Sequence, residues 1–213
     1  MTVTVLDSTF TNNWTYGSSG GGIMNYAMLS VVNSTFTGNS TTGLTGIRGN
    51  ILGGLGGAIE NYYGTVVSIN NTFYANSATN GGGAVDNSGT LTLANSIVGG
   101  SARAVNCSLS ASAPIIDGGY NIEDADTCGF NTALHSLIST TPSLGPLQVN
   151  PPGYPIPTLA LLPGSPAINA GNDSVCPSTD ERGVSRPFGA HCDIGAFEAT
   201  FTVRWLRLIA VQR

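Results

Sequence analysis

Asn71-Thr72-Phe73-Tyr74-Ala75-Asn76, followed after five residues by Gly82-Gly83-Ala84-Val85-Asp86-Asn87, decides the fold, because both hexapeptides recur in strict alternation. The first is matched by Ser8-Thr9-Phe10-Thr11-Asn12-Asn13 and Ser34-Thr35-Phe36-Thr37-Gly38-Asn39. The second is matched by Gly20-Gly21-Gly22-Ile23-Met24-Asn25 and Gly56-Gly57-Ala58-Ile59-Glu60-Asn61. Phe10 and Phe36 are 26 positions apart, as are Ile59 and Val85. Phe36 and Phe73 are 37 apart, and the eleven additional positions fall in the Gly-rich stretch around Thr42 to Leu55. A fourth copy, Ala94-Asn95-Ser96-Ile97-Val98-Gly99-Gly100, reads with Ile97 in the Phe slot and Gly in the Asn slot.

A unit of about 25 residues with two or three short strands cannot bury its own apolar side chains, so copies must stack. The expected fold is therefore all-β, a right-handed parallel β-helix (solenoid) over 1–100. Terminal rungs and a loop-rich, disulfide-stapled C-terminal cap follow over 101–198, and a tail over 199–213 receives no role. Stacking at the parallel-strand spacing of about 4.8 Å places Phe10, Phe36, Phe73 and Ile97 in one inward column. Ile23, Ile59 and Val85 form a second. Leu29-Ser30-Val31-Val32, Val66-Val67-Ser68-Ile69 and Leu91-Thr92-Leu93 supply a third face. Asn13, Asn39 and Asn76, with Asn25, Asn61 and Asn87, suit left-handed turn positions, and stacked amides can bond along the axis.

Composition agrees. Only 9% of the 213 residues are charged and there are 29 Gly, against about 25% charge in ordinary soluble domains. Lys is absent, and the net charge of −5 argues against a nucleic-acid partner, which requires a basic face. No run reaches the roughly 18 apolar residues of a transmembrane segment. Met1-Thr2-Val3-Thr4-Val5 already reads as a strand rather than a signal peptide. Four cysteines lack metal-ligand spacing and allow three pairings. The local choice, Cys107–Cys128 with Cys176–Cys192, closes two short loops and implies an oxidising, extracellular setting; free buried thiols are the alternative.

The alternating repeats resemble the Gly-Gly-Ala-Ile and Phe-x-x-Asn repeats of polymorphic outer-membrane proteins, bacterial surface β-helices and adhesins. Further on stand Pro163-Gly164-Ser165-Pro166-Ala167-Ile168, Asp180-Glu181-Arg182-Gly183 and Asp193-Ile194-Gly195-Ala196-Phe197-Glu198. In that order, and over roughly 90–198, they resemble the choice-of-anchor Q domain family of secreted bacterial β-helix proteins. The resemblance implies a β-helical fold, export and a surface role; it does not imply a catalytic activity. The family's anchoring signal has no counterpart after Glu198.

Candidate sites are few. Glu60 and Asp86 occupy equivalent slots and read as an outward, solvated acidic pair. They are the weak catalytic candidates for a polysaccharide lyase or hydrolase, which needs paired carboxylates on one face. Arg48 is the one base of the repeat region, and no Ser/His/Asp order appears. Asp124 and Asp126, beside Glu123, are weak calcium candidates; no other metal or cofactor is expected. His135 and His191 read as surface residues, and Asp180, Glu181, Arg182 and Arg186 as a buried bracket closing the cap. Sequons begin at Asn13, Asn33, Asn39, Asn70, Asn106 and Asn172, which are glycosylation candidates only in a host that modifies exported proteins. Thr2-Val3-Thr4 and Thr90-Leu91-Thr92 do not repeat every rung, which argues against an ice-binding array. The expected function is that of an extracellular structural or adhesive surface protein, not an enzyme. Its β-helix face would serve self-association or binding of glycans and cells. The alternatives are a filament subunit, a homo-oligomer joined through coil ends, and a carbohydrate-active enzyme.

Overall fold

The computed structural model describes residues 2–46, 51–102 and 105–200. The chain is all-β, built from parallel sheets in which successive copies of the repeat lie side by side. A first face stacks Thr2–Leu6, Met28–Val32, Thr65–Ile69, Thr90–Ala94 and Ile115–Asp117. A second stacks Thr9–Thr11, Thr35–Thr37, Thr72–Tyr74, Ile97–Gly99 and Ile122–Glu123. A third carries Trp14–Tyr16, Ser40–Thr42 and Ser77–Ala78, and a fourth Ile23–Asn25, Ile59–Asn61, Val85–Asn87 and Cys107–Leu109. The chain thus visits the four faces in turn and starts again one layer on, an arrangement consistent with a parallel β-helix. The extra length of layer two leaves as an antiparallel pair, Leu44–Thr45 with Ile51–Leu52. Among the described residues no helix is long and apolar enough to cross a membrane.

Register follows the sequence repeats. Phe10 pairs with Phe36 and Phe36 with Phe73, and the rings stack at centroid distances of 4.6 and 5.0 Å. Ile23, Ile59 and Val85 share a column on the fourth face. Leu29, Val66 and Leu91 alternate inward with Val31, Ser68 and Leu93 on the first. Burying such stacks contributes about 25 cal/mol per Å² of apolar surface, which no single layer could collect alone.

Two positional expectations need correction. Ile97 is not in the Phe slot: it pairs with Thr72, and Val98 pairs with Phe73 and joins the inner core. The second correction concerns the asparagines. Left-handed backbone is held by Asp7, Asn33, Asn70 and Asn95 at one corner and by Asn12, Gly38, Ala75 and Gly100 at another. Asn13, Asn39 and Asn76, which follow the second set, instead form a side-chain ladder: Asn13 Nδ2 donates to Asn39 Oδ1 at 2.8 Å, and Asn39 Nδ2 to Asn76 Oδ1 at 3.0 Å. Asn25, Asn61 and Asn87 form another, with links of 2.8 and 2.7 Å.

The C-terminal half adds rungs through Ile122–Glu123 and a bridge from Ile122 to Leu137. It then turns back, and the two disulfides fit a stapled cap. The returning segment runs along the outer side of the second face, from layer five to layer one. Ile97 and Ile122 point into a second core there with Leu161, Ala167, Ile194 and Phe197. Asn95 Nδ2 donates to the Asn172 carbonyl, Asn70 Nδ2 to the Asp193 carbonyl and Asn33 Nδ2 to the Thr179 carbonyl. At the far end, Thr9 and Thr35 both donate to Glu181. Cys107 is bonded to Cys128 inside the coil's core, and Cys176 to Cys192 within the returning segment. The pairing is consistent with an oxidising compartment. Of the expected tail, Ala199 packs into the second core, and 201–213 lie outside the described residues.

Candidate functional site

Much of the chain's polar chemistry is buried, in the asparagine ladders between layers and in the C-terminal segment. Asp180 Oδ2 receives Arg182 Nε at 2.9 Å and Nη2 at 2.6 Å, and Arg182 also reaches the carbonyls of Asn150 and Glu198 and lies 3.6 Å over the Phe197 ring. Arg186 binds Glu198 and the carbonyls of Asp193 and Gly195. These two arginines form a buried bracket. Glu181 stands apart from it, bonded to the two threonine hydroxyls, and burial pushes its carboxyl up to about 8. Asp193 is raised to about 6, again chiefly by burial.

Glu60 and Asp86 are register neighbours on the fourth face. The expectation of a solvated pair is corrected, because the residues are 1% and 7% exposed. Neither Glu60 oxygen has a hydrogen-bond partner among the described residues. Burial first, and then the Asp86 carboxyl beside it, pushes Glu60 up to about 8; burial raises Asp86 as well. Gly81 closes over Asp86, since an added Cβ would lie 2.1 Å from Oδ2. The pair therefore does not face solvent as two outward carboxylates. Arg48 lies outside the described residues.

The calcium candidates are engaged otherwise. Asp124 accepts from Gly100 N and Asn106 Nδ2, both at 2.7 Å, and Glu123 accepts from Thr127 and Cys128. Asp126 is exposed. Among the described residues no group of three or more His, Cys, Asp or Glu is placed to hold a metal ion. Four sequon asparagines, Asn33, Asn39, Asn70 and Asn106, are buried, which corrects their standing as glycan acceptors. Asn13 is exposed and Asn172 half-buried. His135 is exposed, its ring tilted against that of Tyr120 at 4.8 Å. His191 Nδ1 is 2.8 Å from Asp173 Oδ2 in a cleft of about 340 Å³. This dyad has an oriented imidazole, but among the described residues no nucleophilic hydroxyl bonds the ring.

The candidate that remains was missed by repeat-reading because it breaks the repeat. At the corner between the fourth and first faces stand Tyr26 in layer two and Tyr62 and Tyr63 in layer three, all exposed. Tyr26 and Tyr62 meet edge to face at 5.5 Å, and Tyr62 and Tyr63 at 4.6 Å. Beneath them the Asn25–Asn61–Asn87 ladder fixes the turn: Asn25 Nδ2 also donates to the Ala27 carbonyl, and Asn61 Nδ2 to that of Gly64. A cleft of about 300 Å³ opens between Tyr26, Met28, Tyr63 and Thr65. These exposed rings stand on a fixed turn and contribute nothing to the core.

No protein-family model matches the chain, and no curated protein or solved structure is significantly similar to it.

Proposed function

We propose that the chain is a right-handed parallel β-helix that acts outside the cytoplasm as a structural and adhesive surface module. Its lateral face would bind glycans or neighbouring cells. The observation that carries this reading is the division of labour among side chains. Asn side chains bond layer to layer and the Arg–carboxylate pairs are buried within the returning segment, while large aromatic side chains cluster outward on a rigid corner. The two disulfides fit an oxidising setting. The resemblance to secreted β-helix families supports the same location.

Surface labelling of intact source cells, combined with thiol alkylation before and after reduction, tests the location. Accessible protein with all four cysteines oxidised is the expected result. Cytosolic protein with free thiols overturns it. Incubation with neutral and acidic polysaccharides tests the competing enzyme reading, and release of shorter products that stops on changing Glu60 and Asp86 would replace the adhesive role with a catalytic one.

A further inference from the structure

We propose that the tyrosine corner is the binding site for an uncharged polysaccharide, laid from Tyr63 across Met28 and Thr65 onto the outer side of the first face. This rests on the surface-module reading and adds to it the place and the class of ligand.

The first observation is an insertion. Asn25, Asn61 and Asn87 are in register, as are Met28, Thr65 and Thr90. Between those fixed points layers two and four have two residues, Tyr26-Ala27 and Ser88-Gly89, and layer three has three, Tyr62-Tyr63-Gly64. The additional length is accommodated at Tyr63, whose φ is 56° and whose side chain is 74% exposed. A bulky residue in left-handed backbone costs about 1–2 kcal/mol, and here the strain gains no buried contact. Such strain persists where the surroundings impose it, typically at ligand clamps. Gly64 supplies the constraint: an added Cβ would sit 2.2 Å from Asn25 Nδ2 and 2.7 Å from the Ala27 carbonyl. The corner cannot relax inward, so the Tyr63 ring is held out.

The second observation is continuity. A further cleft of about 200 Å³ on the first face shares Met28 and Thr65 with the tyrosine cleft and extends to Thr2, Ser30 and Val67. The tyrosine cleft thus leads onto an almost wholly apolar floor lined by Thr2, Met28, Ser30, Thr65 and Val67. Among the described residues no charged side chain lines either cleft. Anionic polymers would need cations there to offset their desolvation. An apolar peptide or lipid would cover the polar lining of the tyrosine cleft, where Tyr26, Tyr63 and Thr65 stand, without satisfying it. A neutral sugar offers C–H faces to the rings and the apolar floor, and hydroxyls to the polar lining of the tyrosine cleft, so it answers both surfaces at once.

Electrophoresis of the intact protein through gels containing mixed-linkage β-glucan, xyloglucan, galactomannan, alginate or polygalacturonate tests the proposal. Retardation by at least one neutral polymer, and by neither acidic one, is expected. Tyr63→Asn, which tolerates the left-handed backbone, combined with Tyr26→Ser should weaken binding about tenfold or more. Met28→Asp, at an exposed strand position, should do the same by placing a charge in the cleft. Trp14→Ala, on the third face, should leave binding unchanged, with thermal melts verifying that each variant is folded. Absence of retardation by every neutral polymer, retardation that survives both tyrosine changes, or loss on changing Trp14 overturns the site. Such a failure in a protein that labels on the cell surface removes only the groove, whereas a cytosolic, reduced protein removes the surface module as well.

Discussion

Thr35 donates its hydroxyl to Glu181 in a 2.5 Å hydrogen bond across 146 positions of sequence, joining the outer side of layer two to the returning segment. The carboxyl also takes the hydroxyl of Thr9 at 2.8 Å, and burial favours its protonated form.

This arrangement predicts greater stability in acid than in mild alkali. An acid raised to about 8 in the fold from an ordinary value of 4.5 binds more protons folded than unfolded throughout that window. Stability therefore falls as pH rises from about 4.5 to 8 and levels off above it. Glu60, also near 8, and Asp193, near 6, act with the same sign. Thermal melts between pH 5 and pH 9 should show Tm falling by several degrees, on the order of 4–8 °C per kcal/mol for a small domain and less for a larger one. Glu181→Gln should flatten the slope, and an unchanged slope in that variant would refute the assignment.

Arg182 is fully buried with four polar contacts and an aromatic face. Arg182→Met strands Asp180 and should cost about 3–5 kcal/mol in urea unfolding. Arg182→Lys should recover little of this, because an ammonium cannot reproduce the planar fork that reaches Asp180 and two carbonyls together.

Gly195 has φ +96°, and an added Cβ would lie 2.8 Å from both Ile97 Cδ1 and Thr72 Oγ1. Gly195→Ala combines backbone strain with overpacking and should cost about 2–4 kcal/mol. Gly164, at φ +86° with nothing within 4 Å, is the comparison. Its alanine variant bears only the backbone cost of about 1–2 kcal/mol. Equal losses at the two positions would contradict the close packing of Gly195 on Ile97.

Expression in a glycosylating host should give folded, secreted protein with no glycan on Asn33, Asn39, Asn70 or Asn106, whose side chains are buried. Glycopeptide mass spectrometry would place modification at Asn13 or Asn172, the sequons with accessible side chains. A glycan on Asn70, which donates to the carbonyls of Asp193 and Gly195, would mean that the returning segment is undocked.

Repetition made the layers readable. Three copies of each hexapeptide place Phe10, Phe36 and Phe73 in one column, because equivalent positions must coincide when units stack. The fourth copy slips by one. Ile97 occupies the outward Thr slot, and an apolar residue there makes sense only beneath a covering segment. That cover left little trace in the sequence, since it docks through the Asn33, Asn70 and Asn95 side chains on backbone carbonyls, which any residue can offer. The acidic slot shared by Glu60 and Asp86 was legible; its burial depended on a loop packing over it. Tyr63 escaped for the opposite reason, since an inserted residue has no counterpart in the other copies.

A stack whose layers touch only their neighbours can fray from either end, one layer at a time. The segment that doubles back over the second face changes that regime. Loss of layer one also takes the Thr9 hydroxyl from Glu181, leaving Thr35 to hold it, and so loosens the same segment that seals Ile97 and Ile122. Unfolding should accordingly proceed as one transition, and folding should wait on the meeting of the chain's first forty residues with its last forty described ones. That late, long-range closure makes the protein slow to assemble and, once sealed, slow to come apart.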